Sequence, residues 1–154
     1  MWRELLRTSN SATLTLIRLA LGVVMFAHGA QKMLGWWGGG GFSGTMGMFQ
    51  SMGIPSLFAF LAITAEFFGG LGLIVGFLSR VAAFGVMVNM LVAIAMVHAG
   101  NGLFMNWTGS QKGEGFEYHI LAIAVAVAIE IGGGGAASVD YAIVNAPVHR
   151  VRVA

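Results

Sequence analysis

The sequence predicts an all-α protein of the membrane. The expected architecture is a four-helix transmembrane bundle with a short interfacial or re-entrant helix between spans one and two, forming a single membrane domain over residues 1–154. Three observations carry this. Of 154 residues, 57% are hydrophobic and only 9% are charged, with a mean hydropathy of +0.82, whereas soluble domains carry about 25% charged residues. Apolar runs recur at the length of about 20 residues that a helix needs to cross a bilayer. The few basic residues also segregate by side once those runs are laid end to end.

The first run covers 12–34, contains Arg18, and ends in the polar cluster His28, Gln31 and Lys32. A cleaved leader would use Arg3 and Arg7 as its basic region and 14–27 as its apolar core. Arg18 interrupts that core and no small-x-small site follows, so the segment reads as a retained first span. A loop of Gly35, Trp36, Trp37 and four further glycines leads to 43–52, too short to span, with Ser43 placed to cap it. The second run, 55–78, begins at Pro55, which suits a first helical turn, and carries one charge, Glu66. The third, 81–99, has Asn89 at its centre and His98 at its end. The fourth is taken as 118–139. It is strongly apolar only to Ile131 and then meets four glycines, so it either stops there or continues and places Glu130 in mid-membrane. Past Ser138, Asp140 begins a short terminal helix.

With four spans, Arg3, Arg7, Arg80, Arg150 and Arg152 share one side, and Lys32 and Lys112 the other. Five against two puts both termini in the cytoplasm, and the expected location is a bacterial cytoplasmic (inner) membrane. Trp36, Trp37 and Trp107 then fall at the opposite interface. The alternative of a soluble helical core protein fits poorly, because the third run alone is long enough to span. The formal net charge of +2 comes from basic residues too scattered for a nucleic-acid partner. The absence of cysteine excludes disulfides, thiol redox chemistry and cysteine-ligated metals.

Ionisable residues within membrane spans face the protein interior and find partners. A deep grouping pairs Arg18 with Glu66, or with Glu130, as a structural ion pair that orients helices. A second grouping gathers His28, Lys32, His98, Glu117, Tyr118 and His119 from three helices, with Glu66 nearby. Helix ends are often polar, which accounts for part of it. Three histidines and a carboxylate suit a metal, yet no HxxxH or ExxH pair occurs. Nothing marks a haem site. Hydrogen bonding to a quinone or another polar aromatic head is the preferred use, and no metal is assigned. The glycines of the second run allow close helix approach. The glycines after Glu130 lack the Lys-Ser or Lys-Thr of a phosphate loop.

Taken together these residues resemble the DoxX family of small membrane proteins. The resemblance rests on Arg18-Leu19-Ala20 through His28-Gly29-Ala30-Gln31-Lys32; on Phe42, Gly44, Phe49 and Met52-Gly53-Ile54-Pro55; on Glu66-Phe67-Phe68-Gly69-Gly70 with Gly76 and Arg80; and on Gly135 with Ser138-Val139-Asp140, where valine replaces leucine. It covers about 14–145. It implies a four-helix membrane bundle and a link to quinone-coupled oxidoreduction, and it adds weight to Arg18, His28, Lys32, Glu66 and Asp140.

Three functions follow as expectations. The first is a redox-associated subunit that binds a quinone-like or other amphipathic small molecule in an outer-half cavity formed by His28, Lys32, Glu66, His98, Tyr118 and His119. Arg18 would neutralise Glu66, and a redox partner protein or membrane complex would supply electrons. The second is a non-catalytic structural or assembly subunit, for which ten methionines and glycine-rich helices suit adaptable contacts. The third is a small permease or metal-binding protein using His28, His98, His119 and Glu117, for which four spans require a homo-oligomer.

Overall fold

In the computed structural model, which describes residues 2–146, every regular element is helical. In chain order these are α1 (Trp2–Leu5), α2 (Ala12–Leu34), a 3-10 turn (Trp36–Gly38), α3 (Gly41–Ser51), α4 (Ser56–Val75), α5 (Ser79–Ala93), α6 (Glu117–Gly132) and α7 (Val139–Asn145). A π-helical turn (Ile94–His98) and a 3-10 turn (Ala99–Asn101) prolong α5. Among the described residues three helices are long and apolar enough to cross a membrane: α2, α4 and the continuous Ser79–Asn101. Their length and composition make the chain a multi-pass membrane protein. The fourth apolar helix, α6, has 16 residues, roughly 24 Å at 1.5 Å per residue. Arg150 and Arg152, counted in the topology above, lie outside the described residues.

Local signals set the helix ends. Ser11 caps α2 by accepting from the Leu14 amide at 3.3 Å, and Gly35 ends it in the left-handed conformation at φ 75°. Pro55 immediately precedes α4, and Gly76 closes it at φ 72°. The short helix α3 starts at Gly41, two residues before the expected Ser43 cap, and Gly40 occupies the cap position. The fourth run takes the shorter of its two readings: α6 stops at Gly132, a glycine turn follows, and Ser138 caps α7 through the Tyr141 amide at 3.1 Å.

Helix α2 packs on α4, α4 on α5, α5 on α6, and α6 back on α2, closing a ring; α3 lies against α2 and α4. Leu21, Met25, Leu73, Val86, Met90, Ala126 and Ile129 fill the centre. The α2–α4 contact is the closest, because a Cβ on Gly29 would land on the Phe67 backbone and one on Gly70 on the Phe26 backbone. Small residues permit this approach, and in lipid van der Waals packing is a main source of helix association.

At one end of the ring two buried charges join the helix termini. Arg18, 1% exposed, donates from Nε to Gly134 O at 2.7 Å, from Nη2 to Ala137 O at 2.7 Å, and from Nη1 to Leu73 O and to Ile74 O, the latter at 2.9 Å. It thus serves the last carbonyls of α4, where the helix dipole is negative, and ties them to the glycine turn. Asp140, also 1% exposed, accepts from the Leu78 and Ser79 amides at 2.8 Å each, capping α5 where the dipole is positive. Leu78 itself sits at φ 50°, a strained backbone for a non-glycine residue that this bond helps hold. Arg80 plays the matching part for α6: it donates to Glu130 O, to Ile131 O at 3.0 Å and to Arg7 O at 3.0 Å.

This overturns the expected ion pair. Arg18 bonds four carbonyl oxygens and pairs with neither Glu66 nor Glu130. Glu66 finds its cation on α2 instead, and Glu130 meets Arg80 through its backbone oxygen, while its side-chain Oε1 is buried without a hydrogen-bond partner. The physical reason is that Arg18 lies level with the end of α4, where unpaired carbonyls need donors.

Candidate functional site

The other half of the ring holds the second polar grouping. Because α2 and α4 touch at Gly29 and Phe67, the neighbouring Glu66 is brought against α2 one turn below Lys32. Glu66, 5% exposed, forms an ion pair with the Lys32 ammonium through Oε2 and accepts from Asn89 Nδ2 at 2.8 Å through Oε1. One carboxylate thereby joins α2, α4 and α5. Both of its oxygens are served, as a buried charge requires. Asn89 was visible in the sequence only as the central polar residue of the third run; its place in this network is the signal that such a residue gives when fully read.

Four rings continue the grouping. His28 on α2 lies 6.3 Å from the Tyr118 ring on α6, Tyr118 lies 5.4 Å from His119, and His119 lies 4.2 Å from His98, centroid to centroid. The π-helical turn at Ile94–His98 widens the end of α5 just where it delivers His98 to His119, and such bulges are frequent at functional sites. His98 Nδ1 is 2.8 Å from the Glu114 carbonyl oxygen. A carbonyl only accepts, so Nδ1 carries the proton and a neutral ring presents Nε2 as a bare acceptor. The Glu114 carbonyl has no signature in the sequence, since any residue supplies one.

Two polar atoms in this cluster are buried with no hydrogen-bond partner: the Tyr118 hydroxyl and His119 Nδ1, in a histidine 6% exposed. Unpaired buried polar atoms are costly and rare, on the order of 1–3 kcal/mol each. Both lie in the chain of rings, and the Thr64 hydroxyl, two residues before Glu66 on α4, is a third buried atom without a partner among the described residues.

The loop between α5 and α6 folds over the end of these two helices. Asn101 Nδ2 donates to Glu114 O at 3.0 Å, the Phe116 amide to Gly102 O at 3.2 Å, and the Glu117 amide to Leu103 O at 2.8 Å. Glu117 Oε1 accepts from the Met105 amide at 2.8 Å and from Trp107 Nε1 at 3.3 Å. Glu117 is therefore committed to the loop and turned from the histidines. Among the described residues no three His, Asp or Glu side chains form a group able to hold a metal. Under the Trp36–Gly38 turn and α3 lies an open cavity of about 320 Å³ lined by Gln31, Lys32, Gly39, Thr45 and Met48.

The structure thus brings Lys32 and Glu66 together with Asn89, and His28, Tyr118, His119 and His98 into one chain of rings. The two sets meet on α2, where Lys32 follows His28 by one turn.

Comparison with known proteins bears on this arrangement. The chain is 30% identical over 84 residues to a Bacillus subtilis (strain 168) protein named "Putative oxidoreductase CatD". The match takes in 54% of this chain and 54% of that protein, so it spans about half the length of each. No solved structure matches the chain. The DoxX family model matches residues 13–99, more than half of the chain, taking in α2 to α5 with Arg18, His28, Lys32, Glu66, Asn89 and His98. On the extent of that match, the chain belongs to the DoxX family.

Proposed function

We propose that this protein is a redox-associated subunit of the cytoplasmic membrane that binds the polar head of a quinone-like amphipathic molecule in the half of the bundle carrying Lys32. The observation that carries the reading is the pair of buried, unpartnered polar atoms, Tyr118 Oη and His119 Nδ1. Hydroxyl and imidazole groups donate or accept as their partner demands, so they suit both the carbonyls of a quinone and the hydroxyls of a quinol. His98 adds an acceptor at Nε2, and His28 and Lys32 edge the same region. The relative named as an oxidoreductase is consistent with this chemistry. The chain carries no cysteine and no nucleotide-binding motif, so a redox partner protein or membrane complex supplies or removes the electrons. The bias of Arg3, Arg7 and Arg80 against Lys32 and Lys112 supports a reading with the site toward the outer face and both termini inside.

The test is a titration of a decyl-tailed benzoquinone into the purified protein in nanodiscs, followed by quenching of tryptophan fluorescence. Saturable binding that weakens in Tyr118→Phe and His119→Ala supports the reading. Partitioning that is linear in quinone and identical in all three proteins overturns it. The purely structural alternative draws on Arg18, Arg80 and Asp140, whose bonds join helix ends to one another and to the glycine turn; it leaves the Tyr118 and His119 atoms without a purpose.

A further inference from the structure

Positions 14, 21 and 28 of α2 are spaced by seven residues and so lie on nearly one stripe of the helix. Leu14 lies where a Cβ on Gly132 of α6 would strike it, and Leu21 is buried at 7% exposure in the core that also holds Ala122, Ala126 and Ile129 of α6. One heptad further, His28 is exposed. The same face of α2 that is sealed against α6 at Leu14 and Leu21 is therefore open at His28. The surface around it is apolar: Val24, one turn back along α2, and Leu121, one turn along α6 from Tyr118, are both exposed. His28 is six residues from the end of α2, roughly 9 Å below it. It is a polar ring within an exposed apolar wall, 6.3 Å from the Tyr118 ring.

The 102–116 loop covers the nearby end of α5 and α6, at His98, Asn101 and Glu117. Backbone and side-chain bonds from Gly102, Leu103, Met105 and Glu114 hold the 102–116 loop onto the ends of α5 and α6. Two unpartnered atoms thus sit behind a loop on one side and behind an open helix seam on the other.

We infer that the seam between α2 and α6 at His28 and Tyr118 is a lateral opening to the bilayer, through which an amphipathic molecule reaches the buried Tyr118 hydroxyl and His119 Nδ1 from lipid rather than from water. This rests on the ligand reading of that site. It adds the route, the depth of the polar head at the level of His28, and the requirement that the ligand partition into the membrane. A tail would remain in the acyl chains beside Val24 and Leu121. A water-soluble ligand without a tail would have to cross the 102–116 loop.

The chain has no native cysteine, so single cysteines can carry a nitroxide. The experiment compares collision of that label with oxygen, which concentrates in lipid, and with a water-soluble nickel chelate. His28→Cys is measured beside Phe68→Cys on the lipid face of α4 and Trp107→Cys in the loop. Because water is absent from the bilayer core, the ratio of oxygen to nickel collisions at position 28 is expected to match that at position 68 and to exceed that at position 107 by roughly fivefold or more. A nickel collision rate at position 28 equal to that at position 107 overturns the lateral opening. In the second arm, Val24→Trp narrows the seam and is expected to slow association of the decyl-tailed benzoquinone about tenfold, whereas Phe68→Trp leaves it unchanged. An unaltered rate in Val24→Trp overturns the route while leaving the site. Absence of quinone binding in every protein overturns the ligand reading, and the collision arm still decides the opening.

Discussion

Replacing Arg18 with leucine removes a side chain that is 1% exposed and donates to four carbonyl oxygens, on Leu73, Ile74, Gly134 and Ala137. Leucine fills part of the space and brings no donor, so all four carbonyls lose their side-chain partner. Interhelical side-chain hydrogen bonds in membranes average about 0.6 kcal/mol and reach about 1.7, which brackets the loss at roughly 2–7 kcal/mol. Removing a buried guanidinium also relieves its desolvation, which pulls the net value toward the lower end. The expected destabilisation is about 2–4 kcal/mol. Arg18→Lys keeps the charge but offers one point donor in place of a planar fork. It cannot reach the end of α4 and the glycine turn together, so it recovers less than half of the loss. The assay is reversible unfolding in bicelles by steric trapping, with wild type and both variants compared under one lipid composition. A loss under about 1 kcal/mol for Arg18→Leu, or a lysine variant as stable as wild type, would refute the hub argued from these bonds.

Other predictions use the same unfolding assay or the quinone titration. Gly29→Ala forces a Cβ onto the Phe67 backbone and costs about 1–3 kcal/mol. Gly44→Ala, in α3 with nothing within 4 Å of the added carbon, is neutral or stabilising by up to about 1 kcal/mol. Asp140→Ala uncaps α5 and costs about 1–2 kcal/mol, with Asp140→Asn milder because one acceptor survives. Tyr118→Phe removes a hydroxyl that has no partner in the protein, so stability holds or rises while quinone affinity falls about tenfold; loss of both together would assign the hydroxyl to packing instead. Glu66→Gln breaks the pair with Lys32, lowers stability and frees the ammonium, both measurable in one preparation.

The membrane class and three long apolar helices were legible because lipid imposes a simple rule: long apolar runs with every backbone bond made internally. Residues 12–34 became α2 with the same bounds. The run at 81–99 extended at both ends, since Asp140 caps α5 from a distant part of the chain and the π turn carries it past His98. Neither device leaves a mark in local periodicity. The deep ion pair failed for a related reason. Sequence matches charges to opposite charges, but Arg18 met the carbonyls of a helix end, which are present in every helix and invisible in composition. The gathering of Lys32 with the rings from three helices was readable from helical depth, but depth gave Glu66 to Arg18; its pairing with Lys32 follows from the close approach of α2 and α4 at Gly29. Which atoms in the gathering were left unpaired was not readable, because that depends on the π turn and on how the 102–116 loop folds back.

The central claim, that Tyr118 and His119 face a ligand, is tested most directly at the His119 ring. The protein has four histidines, so selective ¹⁵N-histidine labelling gives a resolvable set of ring nitrogens, with His119→Gln assigning the signal. On titration of the protein in nanodiscs with the decyl-tailed benzoquinone, the His119 Nδ1 resonance is predicted to shift and saturate as it gains a hydrogen-bond partner. Ring nitrogens that stay fixed while the quinone fills the surrounding lipid would contradict the account.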